Sequence, residues 1–385
     1  MPDSVAITDA LSNPLHAVHE QAEAEFQPYA QLQIVSTFGQ PEAEYAAIRK
    51  SCALLDEPQR GILEISGADR GAFLNNLLTN QTWDKASKSG LKPGIGVYAF
   101  FLNTKGRIVA DMHVIETGER ILLDMDARKV ETIRQSFDKF LFREQVKMTS
   151  RIGSLHTLAL HGPKAPELLA ELGASAADLP QLGSILAKIL DADAVIWRDD
   201  VCSVPGYHVV IETQLVPIVW KEMLARFFES QDLGRRRLRP AGWAAYNACR
   251  IEGGRPIFGI DFDESVLPSE TGQMDRAVNN NKGCYLGQEI VARMVARGQL
   301  ARQLVGLRMP NDALPIAGAA LQDDQGNQIG GITSSTISPI LSNVAICLGY
   351  VKKPLFEPGT IVTIPAEGSM HKAVVTELPF LKPGR

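Results

Sequence analysis

Residues 98–125 read YAFFLNTKGRIVADMHVIETGERILLDM, and their pattern indicates the class of fold. Its apolar and alternating runs predict three successive strands, over 98–102, 108–115 and 120–125. Turn segments separate these runs, first Asn103-Thr-Lys-Gly106 and then Thr117-Gly-Glu119. Strands that follow one another through short turns, with no helix between them, favour an α+β domain over regular βαβ units.

Helical patterns flank this stretch on both sides. They predict helices over 14–27, 41–50, 68–78 and 127–140, with a strand over 61–66. Strand and helix alternate again over 155–211, and short helices are expected over 243–250 and 288–296. After Gly298 short apolar runs alternate with turn residues, which predicts a C-terminal antiparallel β-domain.

Composition narrows the class of protein. The chain has 385 residues, enough for two or three domains, and 45% of them are hydrophobic and 22% charged. A formal charge of −5 argues against a protein that coats nucleic acid. The first residues do not resemble a signal peptide, and no stretch approaches the ~18 apolar residues of a membrane span. We therefore expect a cytoplasmic monomer without membrane contact.

The five cysteines are an odd number, and no two of them form a CxxC pair. Zinc knuckles and self-contained iron–sulfur motifs are therefore not expected, and the cysteines are predicted to be reduced thiols, most of them buried. His16 and His19 lie one helical turn apart, but no third ligand lies near them in the sequence. We expect two solvated surface histidines there and no metal site.

Short segments in a fixed order along the chain carry a family resemblance. They are NPLH (13–16), EYAAIRKSCALLD (44–56), GAFLNNLLTN (71–80), LKPG (91–94), LNTKG (102–106), RIEGGRP (250–256), GITSS (331–335), LGY (348–350) and LPF (378–380). Taken together, they resemble the glycine-cleavage T-protein (aminomethyltransferase) superfamily. The match spans nearly the whole chain.

The resemblance implies a three-domain arrangement. Two interleaved α+β domains would comprise 1–57 with 150–232 and 58–149 with 233–297, and a C-terminal antiparallel β-barrel-like domain would comprise 298–385. Tetrahydrofolate, or a one-carbon derivative of it, would bind where the domains meet.

One segment selects a branch of that superfamily. Residues 282–289 read KGCYLGQE, which resembles the KGCYxGQE signature of YgfZ proteins. These are folate-binding relatives associated with making or repairing iron–sulfur clusters and, through such enzymes, with tRNA modification. The resemblance implies iron–sulfur proteins or their assembly factors as partners.

The T-protein pattern is altered at three places. Glu57-Pro-Gln-Arg60 stands where the T-protein has Ser-His-Met-Gly, and Ala110-Asp111 stands where it has adjacent carboxylates. Val204-Pro-Gly206 stands where its loop supplies a glutamate to the pterin. These differences argue against aminomethyl transfer.

Cys284 is the candidate catalytic thiol, with Lys282 beside it. The ammonium of Lys282 and the start of the helix predicted from Gln288 would both stabilise a thiolate, which is a nucleophile and a soft metal ligand. The alternative is that Cys284 is merely buried.

Three further residues are candidates for folate binding. Asp111 interrupts an apolar strand and is expected to hold a pterin or pteroyl nitrogen, or else to cap a neighbouring backbone group. The resemblance gives Arg250 a folate contact, and the alternative is a structural ion pair with Glu252 or Asp261. Tyr98 is expected either to lie against a flat ring or to fill the core.

The cluster Arg235-Arg-Arg-Leu-Arg239 has no interleaved aromatic residues. A polyglutamate tail or RNA are conceivable ligands, but a solvated loop is the plain interpretation and direct RNA contact is not expected.

The leading hypothesis is a tetrahydrofolate-binding accessory protein for iron–sulfur cluster assembly or repair that uses Cys284. One alternative is an enzyme, a tetrahydrofolate-dependent aminomethyl or methyl transferase of the T-protein type. The other is a binding protein that senses folate without chemistry. The sequence leaves open whether the protein is an enzyme.

Overall fold

The computed structural model describes residues 13–229, 237–297 and 300–382. The chain forms two compact units. The first unit comprises Met1–Ala99, Asp111–Asp200 and Val204–Tyr246, and the second comprises Phe100–Ala110, Val201–Ser203 and Asn247–Arg385. The three-domain boundaries stay a prediction.

The helices of the described residues are short. They are α1 (His16–Gln21), α2 (Pro41–Lys50), α3 (Arg70–Leu77), α4 (Val130–Asp138), α5 (Ala165–Glu171), α6 (Val216–Phe227), α7 (Trp243–Glu252), α8 (Met274–Ala277) and α9 (Gln288–Arg297). None of them is long and apolar enough to cross a membrane.

The strands before residue 250 are β1 (Glu25–Tyr29), β2 (Leu32–Thr37), β3 (Ala53–Asp56), β4 (Arg60–Ser66), β5 (Trp83–Asp84), β6 (Ser89–Gly90), β7 (Gly96–Leu102), β8 (Ile108–Glu116), β9 (Arg120–Asp126), β10 (Lys147–Ser150), β11 (Leu155–His161), β12 (Ser184–Ile189), β13 (Ala192–Arg198), β14 (Gly206–Glu212) and β15 (Arg239–Pro240). Those after residue 300 are β16 (Arg302–Arg308), β17 (Ala320–Gln322), β18 (Gln328–Ser338), β19 (Val344–Lys352), β20 (Ile361–Ala366) and β21 (Ser369–Thr376).

Residues 98–125 lie in β7, β8 and β9 and the turns between them, as their pattern predicts. They belong to a five-stranded sheet with the order β10-β4-β9-β8-β7. The antiparallel register of β8 and β9 places His113 opposite Asp124. The turns between these strands are tight, so the segment has no room for a crossover helix.

A six-stranded sheet of the first unit has the order β12-β13-β14-β11-β3-β15. Helices α5 and α6 cover one face, where Leu168 and Trp220 join an apolar core. On the other face, Val195, Trp197 and Val210 pack against Ile62 and Leu122 of the five-stranded sheet. The two sheets therefore pack face to face around a shared layer of side chains.

The C-terminal strands of the second unit form a closed barrel with the order β16-β19-β18-β17-β20-β21. Its interior is filled by alternate strand residues such as Leu307, Cys347 and Ile364. Closure leaves no exposed sheet edge. The predicted C-terminal antiparallel β-barrel-like domain is thereby confirmed, as is the α+β class.

The predicted helix over 14–27 is wrong in its second half. Helix α1 ends at Gln21, Glu23 adopts a positive φ of 56°, and residues 25–29 form β1. Phe26 has helical spacing, but the antiparallel pairing of β1 with β2 overrides that local pattern. The other helices predicted before residue 140 are confirmed to within a few residues.

Candidate functional site

Tyr98 and Asp111 lie together at the paired strands β7 and β8. The Tyr98 hydroxyl donates a hydrogen bond to Asp111 Oδ2 at 2.7 Å. The tyrosine is buried, whereas Asp111 is only half-buried. The structure thus brings together two of the residues predicted to bind folate, and part of the Asp111 surface stays open to a ligand.

His113 lies two residues after Asp111, and alternate residues of a strand share a face. Its ring centroid is 5.2 Å from that of Tyr98 and 4.5 Å from that of Trp197. Its Nδ1 is 3.3 Å from Asp124 Oδ2, and its Nε2 is 3.3 Å from Asp199 Oδ2. Two buried carboxylates therefore fix the imidazole beside Tyr98.

Asp124 also pairs with Arg60, whose Nε lies 3.1 Å from its Oδ2. Burial by itself raises the pKa of Asp124, but Arg60 and His113 outweigh it and hold the pKa at about 2. The carboxylate is therefore ionised throughout the physiological range. An ion pair that stays charged lies within the layer between the two sheets.

A second ion pair lies in the same layer. His208 Nδ1 is 2.8 Å from Glu57 Oε2, and the His208 ring stacks on Trp197 with centroids 4.1 Å apart. Burial disfavours charge on both groups, but their attraction outweighs it, so the pKa of His208 is raised and that of Glu57 is lowered. Trp197 is therefore held between the rings of His113 and His208.

Asp56 is the centre of a separate buried cluster. Its carboxylate contacts His156 Nε2 at 2.6 Å, His19 Nε2 at 2.9 Å and Asn13 Nδ2 at 2.7 Å. Burial raises the pKa of Asp56, but the two histidines outweigh burial and hold it well below its ordinary value. The prediction that His19 is a solvated surface histidine is wrong, because Asp56 holds its ring in the interior.

Arg250 of α7 is fully buried. Its Nη1 donates to Asp261 Oδ2 at 2.5 Å, its Nη2 to Ser334 Oγ at 2.6 Å and its Nε to Asn247 Oδ1 at 2.9 Å. This is the ion pair with Asp261 that the sequence left open as the structural alternative. Contact between Arg250 and folate stays a prediction.

Cys284 lies in the KGCYLGQE segment, four residues before α9 begins. All five cysteines lie in the described residues, and Cys284 is exposed while the other four are buried. Burial raises the pKa of the Cys52 and Cys347 thiols, which keeps them protonated. The alternative that Cys284 is merely a buried packing residue is therefore wrong, and its catalytic role stays a prediction.

Lys282 is buried, and its Nζ lies 5.0 Å from the ring centroid of Tyr285. This is cation–π geometry. Gly287 has a φ of +79°, and a Cβ there would lie 2.7 Å from the carbonyl oxygen of Asn103. The segment therefore packs closely against the turn between β7 and β8, and this position requires glycine.

Part of the arginine cluster lies outside the described residues, namely Arg235 and Arg236. In the described part, Arg237 pairs with Glu167 and, at 2.7 Å, with Glu171. Intramolecular ion pairs thus engage this arginine. Among the described residues no group of three or more His, Cys, Asp or Glu side chains is arranged to hold a metal ion.

Comparison with known proteins assigns this architecture to a protein family. The profile of the GCVT N-terminal domain matches residues 15–282, and that of the glycine cleavage T-protein C-terminal barrel domain matches residues 302–382. The chain belongs to the glycine cleavage T-protein family. Its barrel corresponds to the family's C-terminal barrel domain, and the N-terminal domain profile covers most of the chain before the barrel.

Relatives in this family are named as transferases. An aminomethyltransferase of Corynebacterium aurimucosum is 26% identical over 384 residues, covering 98% of this chain and 99% of that protein. A probable aminomethyltransferase of Natronomonas pharaonis is 28% identical and covers 95% and 98%. The solved structure of aminomethyltransferase T from Bartonella henselae superposes with a TM-score of 0.85 at 23% identity, covering 96% of this chain and 98% of that one. The T-protein fold extends over nearly the whole chain.

Sequence reasoning missed most of the polar layer between the sheets. Glu57 and Arg60 were noted only as departures from the T-protein pattern, although both are ion-paired inside that layer. A usable signal was available, because charged residues at the end of β3 and the start of β4 must find partners if the sheets bury them.

Proposed function

We propose that this T-protein family member binds a reduced folate and transfers a one-carbon unit to or from it, as a folate-dependent transferase of the aminomethyltransferase type. The Asp111 carboxylate, held by the Tyr98 hydroxyl, carries the proposal. Full-length similarity to proteins named aminomethyltransferases supports it.

The residues present fit a folate. A half-buried carboxylate accepts hydrogen bonds from the N–H donors of a pterin ring. Tyr98 fixes the orientation of Asp111, and the rings of His113 and Trp197 are themselves fixed by buried partners. When bound, a reduced folate would supply the nitrogens that carry the one-carbon unit.

The chain's own residues set the charge around this position. The Arg60–Asp124 pair stays ionised, so it neither gives nor takes a proton near neutral pH. Ala110 and Val204 stand where the T-protein resemblance has carboxylates, and the loss of one acid–base group costs about 10²–10⁴-fold in rate. We therefore expect slow turnover with an aminomethyl donor.

The test is tetrahydrofolate-dependent release of ammonia from an aminomethylated carrier protein. The parent and the exposed-site control Asp324→Asn should form methylenetetrahydrofolate at equal rates, and Asp111→Asn should be slower by at least about tenfold. Equal rates for Asp111→Asn and parent would remove Asp111 from the site. Folate binding without any product would contradict transfer and favour the folate-sensing alternative.

A second candidate function rests on Cys284, the one exposed thiol among the five cysteines. It is the YgfZ-like role in iron–sulfur cluster assembly or repair, with iron–sulfur proteins or their assembly factors as partners. An exposed thiol is accessible for nucleophilic or metal chemistry, whereas a buried one is not.

Complementation of a deletion strain tests this second role. Cys284→Ser should fail to restore iron–sulfur enzyme activities, while the nearby exposed-site control Asn281→Ser restores them. Both variants should keep the parent melting temperature, because neither changes the core. A complementing Cys284→Ser variant would exclude the thiol-dependent role.

A further inference from the structure

A cleft in the first unit lies beside the apolar side chains that pack between the two sheets, and none of the residues assigned a function above lines it. Its volume is about 560 Å³. Clefts of roughly 300–1,000 Å³ are typical of small-molecule sites. Its apolar lining comes from both sheets and includes Leu122, Leu155, Val195 and Val210.

One lining residue, Leu186, is unusually exposed for a leucine. Leu186 on β12 is 64% exposed, and it pairs across the hairpin with Val195, so both side chains lie on the same face. The hairpin thus extends the apolar lining outward to the solvent. Covering such surface is favourable for an apolar ligand.

The lining also includes two arginines that share one carboxylate. Arg120 Nη1 lies 3.1 Å from Glu64 Oε2, and Arg151 Nε lies 3.6 Å from the same oxygen. The longer distance is beyond hydrogen-bonding range. Arg151 Nε is a buried donor without a hydrogen-bond partner among the described residues.

The unsatisfied Arg151 donor is the distinctive polar feature of the cleft. Lys188 Nζ lies 3.3 Å from Asp193, and Glu212 accepts a hydrogen bond from the neutral amide of Gln214. Together with Glu64 these carboxylates balance the charges of Arg120, Arg151 and Lys188, but Glu64 is shared by two guanidinium groups and does not accept a hydrogen bond from Arg151 Nε. An unsatisfied guanidinium donor next to apolar surface is the complement of an acid with an apolar body.

We propose that this cleft binds an apolar monocarboxylate. The carboxylate accepts hydrogen bonds from Arg151 and Arg120, and the apolar body covers Leu155 and Leu186. The proposal is independent of folate binding, because none of its residues belongs to the Asp111 site.

The probe is octanoate. It is titrated at millimolar concentration into the full-length protein, and binding is measured by calorimetry. The parent should bind it, Arg151→Gln should bind about tenfold more weakly, and Leu186→Asp should bind weakly or not at all. Arg134→Gln is the matched control, since Arg134 is an arginine on α4 paired with Glu131 and does not line the cleft. This control should bind octanoate like the parent.

Octanol and octylammonium separate the two parts of the proposal. Either one binding as tightly as octanoate would overturn the role of the arginines. Unchanged octanoate affinity in Arg151→Gln, or no binding by the parent, would overturn the site. Leu186→Asp keeps the proposal testable if Arg151→Gln fails to fold, because position 186 is exposed and contributes little core packing.

Discussion

At the scale of single residues, the His161 imidazole is a buried titratable group on which stability should depend. It is fully buried, and neither ring nitrogen has a hydrogen-bond partner among the described residues. Burial, reinforced by nearby His208, lowers the pKa of His161 to about 4. The folded protein therefore holds this ring neutral where the unfolded chain would protonate it.

The sign of the resulting pH dependence follows from proton binding. Below its unfolded pKa of about 6.5, His161 takes up a proton in the unfolded chain, but it does so in the folded protein only near pH 4. Stability is therefore lost as pH falls from about 6.5 to about 4. Between pH 7 and pH 5 this loss amounts to about 2 kcal/mol.

His161→Leu should remove that loss, because leucine does not titrate. Urea unfolding at pH 7 and at pH 5 measures the change in unfolding free energy for parent and variant. The parent should lose about 2 kcal/mol more than the variant between the two pH values. An identical loss in both proteins would show that His161 is protonated or solvated in the folded state.

At the scale of elements, α7 is tied to barrel strand β18 through one buried carboxylate. Asp261 accepts hydrogen bonds from Arg250 on α7 and from Thr333 and Ser334 on β18. Both members of the Arg250–Asp261 pair are fully buried. Removing one member leaves the other charge uncompensated in the interior, which is far more costly than removing both.

Arg250→Ala should therefore lower the free energy of unfolding by about 3–5 kcal/mol. The double variant Arg250→Met with Asp261→Leu should recover much of that loss, since it leaves no unpaired charge. Chemical denaturation of parent, single and double variants measures both effects. Parent-like stability of Arg250→Ala together with weaker folate binding would instead support the ligand contact that the family resemblance implies.

The elements also show where local pattern is a sufficient guide. Strands β7 to β9 follow from the alternation and turns of residues 98–125, because short-range geometry specifies a strand and a turn. The strand after α1 cannot be predicted from its local pattern. Strand β1 exists only through its pairing with β2, and no local signal encodes that partner.

At the scale of the whole molecule, the ordered family segments predicted the α+β architecture and the barrel, and the comparisons confirm both. The strand patterns of residues 98–102 and 108–115, together with side-chain chemistry, indicated Tyr98 and Asp111, which the structure brings together. The rest of the candidate site was hidden because its pairs are distant in sequence: Arg60 and Asp124 are 64 residues apart, and Glu57 and His208 are 151 apart. Only the packing of one sheet on the other creates those contacts.

In the proposed function, the Asp111 carboxylate, held by Tyr98, binds a reduced folate. Calorimetric titration of tetrahydrofolate into the parent, Asp111→Asn and the Asp324→Asn control measures this binding. We predict saturable binding by the parent and the control, and affinity weaker by about tenfold or more in Asp111→Asn, because a charge-assisted hydrogen bond contributes about 1.5–3 kcal/mol. No binding by the parent, or equal affinity in Asp111→Asn, would contradict this role of Asp111.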